Sequence, residues 1–151
     1  MIGASNPLIA QREFTIDASQ QRVWELLPRA IYQGLPLEKI DIVNERNFNA
    51  ELRWNLIFIG LKFHLKGEFI EIIPPSFFGC ILFVKKGIFQ LGLKVTFELR
   101  SVNQKRTQII CEAMERKKRR GALLKWAMRI PEERLCGNAF QLIRARLEQI
   151  A

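Results

Sequence analysis

Histidine and tyrosine occur once each in this chain, and the three cysteines form no C-x-x-C pair. Cys80, Cys111 and Cys136 are odd in number and widely spaced, which fits neither a disulfide framework nor a zinc site. They read as small buried hydrophobes in a reducing cytoplasm. There is no G-x-S-x-G elbow, Cys/His pairing, metal-ligand cluster or phosphate loop in the sequence. No catalytic residue, metal or cofactor is therefore assigned. No apolar run approaches the roughly 18 residues of a membrane-spanning helix. The opening "MIGASNPLIAQREF" has no charged start followed by an apolar core, so it does not read as a secretory signal.

Acidic residues are also scarce: 15 against 24 lysines and arginines, a net charge of +9. An excess of that size points to an anionic partner, nucleic acid or an acidic membrane surface, or else serves solubility alone. The hydrophobic content of 48% and charged content of 26% exclude a disordered chain. A chain of 151 residues reads as one domain, 1–151, burying roughly 70% of its unfolded surface.

The hydrophobic pattern supplies the elements. Phe14 and Ile16 alternate with Glu13, Thr15 and Asp17 as a half-buried strand. Ser19 caps a helix whose apolar face is Val23, Trp24, Leu26 and Leu27, with Pro28 expected to break or kink it. Strand-like runs follow at 50–59, 61–69, 77–84, 89–100 and 107–115, the third of them apolar throughout, joined by turn-like segments. After Arg120 the period changes to that of a helix, with Leu135, Ala139, Leu142, Ile143, Leu147 and Ile150 at three- and four-residue spacings; Pro131 either kinks it or starts its second part. This order predicts an α+β protein built on an antiparallel meander.

Strand parity sorts the side chains. Trp54, Leu56 and Phe58 fall on the inner face of one strand, Phe63 and Leu65 on that of the next. Phe89, Leu91, Leu93, Val95 and Phe97 do so in the clearest strand, and Leu124, Met128 and Leu135 face them from the helix. Small residues on the same faces, Ala50, Cys111, Ala113 and Ala139, favour space between sheet and helix, although a filled core explains the pattern equally well. With 11 Phe and a single Tyr, the lining would carry almost no hydroxyls. His64, Glu68, Glu98 and Glu112 point outward by parity, so binding outranks chemistry.

Three segments carry a resemblance. "FTIDASQQRVWELL" at Phe14–Leu27, "FHLKGEFIEIIPPS" at Phe63–Ser76 and the long final helix after Gly121 resemble the START/Bet v 1-like (SRPBCC) superfamily over nearly the whole chain. Within it, the closest likeness is to the carbon monoxide dehydrogenase G-subunit-like and polyketide cyclase-like group. Gly34-Leu35-Pro36 stands where that group has a Pro-Gly pair, and "FVKKGIFQLGLK" is bulkier and more basic than its glycine-rich strands. The resemblance implies a helix-grip fold: a curved antiparallel sheet wrapped around a C-terminal helix, short helices after the first strand, and a hydrophobic cavity. It further implies a lipid, sterol, polyketide or quinone as ligand. For a relative of the carbon monoxide dehydrogenase group, it also implies service as an accessory to a membrane-associated oxidoreductase. Some members are cyclases, but no family catalytic residue maps onto this chain.

One segment remains. Arg116, Lys117, Lys118, Arg119, Arg120, Lys125 and Arg129 carry no acid between them, and Leu123 and Trp126 fall on a helix face away from Leu124 and Met128. Apolar wedges among cations suit docking at the inner face of an acidic cell membrane. A solvated turn and a protein-binding face are the competing readings. Nucleic acid is disfavoured, because acids interrupt the other outward positions and no aromatic platform faces outward. The sequence thus predicts a binding or carrier protein for a hydrophobic molecule, with a polyketide cyclase or hydratase-type enzyme or a ligand-free interaction module as alternatives.

Overall fold

The computed structural model describes the backbone of residues 8–56, 59–86, 89–116 and 122–151, and side chains there except those of 54–61, 86–89 and 122–132. The elements run β1 (Leu8–Ile16), α1 (Gln20–Gly34), β2 (Leu37–Ile42), β3 (Asn47–Leu56), β4 (Ile59–Ile73), β5 (Phe77–Lys86), β6 (Phe89–Asn103), β7 (Arg106–Glu115) and α2 (Ala122–Ile150). The seven strands form one sheet in the order β1-β7-β6-β5-β4-β3-β2, every neighbouring pair antiparallel. Strands β2 to β7 are a plain meander, and β1 closes its far side against β7. The α2 helix packs along α1 and β1. This is the α+β helix-grip fold.

The alternation seen in the sequence sets the inner face. Leu91, Leu93, Val95, Phe97 and Leu99 of β6 are all buried, as are Ile109, Cys111 and Ala113 of β7. On the helical side Val23, Leu26, Leu27 and Ala30 of α1 and Cys136, Phe140, Ile143 and Leu147 of α2 complete the core. Ser19 caps α1 as expected: its hydroxyl accepts the Arg22 amide at 3.2 Å. Gln20 anchors the helix start to the sheet, donating to the Leu99 carbonyl at 3.1 Å.

Three expectations need correction. Pro28 does not end α1, which continues to Gly34. A proline removes one amide donor and crowds the preceding turn, but the buried residues on both sides of it hold the helix together. Leu142 does not join the buried face of α2; it is 43% exposed. The connection expected between α1 and β3 contains a further strand, β2. It is short, its register with β3 shifts between Glu38 and Asp41, and Lys39 has a φ of 49°, so it has no clean alternation to recognise. The α2 helix runs unbroken through Pro131.

Candidate ligand cavity

A cavity of about 400 Å³ lies between the inner face of the sheet and the two helices. Helical spacing builds one wall: Trp24, Leu27, Pro28, Ile31, Tyr32 and Leu35 recur at three- and four-residue intervals and all line it. Ala139 and Phe140 of α2 and Ala113 of β7 face it from other sides, and the two alanines stop short where longer side chains would fill the space.

The sheet side is dominated by phenylalanine. Phe48, Phe69, Phe78, Phe97 and Phe140 form a continuous arc, with ring centroids 5.4, 5.1, 5.9 and 6.0 Å apart in turn. It crosses β3, β4, β5 and β6 and ends on α2, and all five rings line the cavity. Such tilted and edge-on pairs suit the positive rim and negative face of the rings. Gly67 makes room for its first member: in register with Phe48, it has no side chain where that ring lies.

Polar groups are few. Glu45, Arg53 and Asn138 line the cavity but are exposed, so they belong to its rim. The half-buried Tyr32 and the buried Cys80 and Cys136 complete the polar lining. Burial pushes the Cys80 thiol up to about 12. Burial, and secondarily the neighbouring Cys80, also raises the Tyr32 phenol. At neutral pH both are uncharged hydrogen-bonding groups, not bases or nucleophiles.

Of the residues expected to line a cavity, Leu65, Leu93, Val95, Phe97 and Leu135 line this one. Phe63 and Leu91 are buried in the core outside its wall. The side chains of Trp54, Leu56, Phe58, Phe89, Leu124 and Met128 lie outside the described residues. His64 is exposed, and Glu112 points outward, where Gln11 donates to it at 3.3 Å. The basic segment is described only at its start. Arg116 is exposed, its amide donates to the Gly92 carbonyl at 2.8 Å, and its guanidinium lies 5.8 Å from the Phe83 ring centre. Lys117, Lys118, Arg119 and Arg120 lie outside the described residues, as do the side chains of Leu123, Lys125, Trp126 and Arg129. Among the described residues no three His, Cys, Asp or Glu could hold a metal, and no helix is long and apolar enough to cross a membrane.

Sequence reasoning misses Tyr32, Phe48, Phe69, Phe78 and Phe140 as wall residues. A signal exists for Tyr32, because the apolar spacing of α1 carries on past Pro28 through Ile31 to Leu35. The others depend on which inner-face residues meet the void, and alternation does not carry that.

A curved antiparallel sheet, a gripping helix and an apolar space between them together define a protein of the helix-grip fold. Solved structures of that shape match over nearly the full chain. A conserved protein from Geobacillus kaustophilus superposes with a TM-score of 0.72 at 15% identity, over 92% of this chain and 94% of that one. A protein from Mycobacterium smegmatis gives 0.66 at 11%, over 93% and 88%. An aromatase/cyclase from a Streptomyces species gives 0.58 at 12%, over 93% and 94%. No family model matches the chain, and no curated protein matches it by sequence.

Proposed function

We propose that this chain is a single-domain, non-catalytic carrier of a hydrophobic small molecule, a lipid or an isoprenoid quinone, held between the sheet and α2. The observation that carries this reading is the apolar cavity of about 400 Å³, within the span of roughly 300–1,000 Å³ usual for small-molecule sites. Its polar lining away from the rim includes the neutral Tyr32 phenol and Cys80 thiol, which suit binding better than proton transfer. The basic segment from Arg116 to Arg129 would hold the carrier on an acidic membrane while cargo enters or leaves. Service to a membrane-associated oxidoreductase rests on the sequence resemblance to the carbon monoxide dehydrogenase group.

Organic extraction and mass spectrometry of protein purified without detergent test the reading. A stoichiometric apolar compound is expected. Protein that is empty, and that takes up neither a quinone nor a fatty acid when offered, would count decisively against it.

A cyclase or hydratase-type enzyme is the second reading, favoured by the Tyr32 phenol in the cavity wall. It requires turnover of a polyketide-like substrate that Tyr32→Phe abolishes.

A further inference from the structure

We propose that Tyr32 is the polar anchor of the cavity: its hydroxyl donates a hydrogen bond to a carbonyl oxygen of the bound molecule, whose unsaturated or aromatic skeleton lies along the phenylalanine arc. This rests on the carrier reading and narrows its ligand class to unsaturated carbonyl compounds.

The only tyrosine of the chain sits on the cavity face of α1, in a lining made almost wholly of carbon. Its hydroxyl has no hydrogen-bond partner among the described residues. Water satisfies such a group while the cavity is empty, but an apolar ligand that displaces the water must replace the bond or lose affinity. A tyrosine placed there therefore discriminates between ligands in a way phenylalanine would not. A phenol is a better donor than acceptor, because its oxygen lone pair is drawn into the ring, and this favours a carbonyl oxygen as its partner. The Cys80 thiol beside it is protonated at neutral pH, so no thiolate competes for the phenolic proton.

The arc favours an unsaturated skeleton. Five rings from four strands and a helix present faces and edges over one continuous surface. Flat unsaturated groups gain from offset and edge-on contact with such rings beyond the area they bury. A saturated chain gains the area alone.

The test uses the full chain and two probes that share a ring skeleton, fluorenone with a carbonyl oxygen and fluorene without one. Dissociation constants for both are measured by equilibrium dialysis with wild type and Tyr32→Phe. The ratio of fluorenone to fluorene affinity is expected to fall about fivefold to tenfold in the variant, the loss of one hydrogen bond, while fluorene affinity holds or rises because no hydroxyl is left unpaired. Fluorene thereby also reports that the variant is folded. A ratio unaltered by Tyr32→Phe overturns the anchor and leaves the carrier reading standing. Wild-type protein that binds neither probe overturns the anchor, and the extraction and uptake experiment then decides the carrier reading separately.

Discussion

Phe48 and Gly67 face each other across β3 and β4, and the pair shows how one residue's absence of a side chain shapes the site. A Cβ at position 67 would fall on the Phe48 ring, whose centroid lies 5.4 Å from that of Phe69. Gly67→Ala is expected to destabilise the fold by about 1–3 kcal/mol, read by urea denaturation, and to weaken ligand binding by driving Phe48 off the arc. The buried thiols act through pH. The Cys80 thiol ionises at about 12 in the folded chain against an ordinary 9.0, and burial raises Cys111 as well. A folded-state pKa above the unfolded one means that the unfolded chain loses its proton first. The thiols' contribution is therefore complete below pH 9 and drains away as pH rises from 9 towards 12, by up to about 1.4 kcal/mol per thiol per pH unit. Denaturation midpoints measured across that window should fall, and less steeply in a Cys80→Ala, Cys111→Ala double variant.

At the scale of elements, α1 keeps its shape in spite of Pro28. The missing amide at position 28 leaves the Trp24 carbonyl without its intrahelical donor, in a stretch where both residues line the cavity. Pro28→Ala restores that bond and should raise stability by about 1 kcal/mol or more, seen as a higher thermal midpoint. An unchanged or lower midpoint would show that tertiary contacts of the proline ring outweigh the lost bond. Strand β4 makes a related point. Its inner-face parity holds from Phe63 to Phe69, then the register with β5 shifts between Phe69 and Glu71, so that Ile72 pairs with the inward Phe78 and lines the cavity. Period-two alternation cannot anticipate such a bulge, because one extra residue reverses every face beyond it. The short β2 is hidden from the sequence for the same reason.

For the molecule as a whole, the positive charge is the property most open to test. If the segment from Arg116 to Arg129 docks the protein on an acidic membrane, it should cosediment with phosphatidylserine-containing vesicles, but not with purely zwitterionic ones, and should release as salt rises. A Lys117→Glu, Lys118→Glu variant should lose most of that binding while keeping its thermal midpoint; binding that ignores both salt and charge reversal would sink the docking idea. The types of the longer elements, the capped first helix, the inner face of β6 and the outward placing of His64 were legible in the sequence. Each follows from a local period of 2 or 3.6 residues and needs no knowledge of distant contacts. Which inner-face residues pack solidly, like Phe63 and Leu91, and which border a void, like Phe97 and Leu135, was decided only in three dimensions. That depends on how far the curved sheet stands from α1 and α2, a distance set by contacts between residues remote in sequence. The same packing turned the chain's single tyrosine into one of the few polar groups of its cavity.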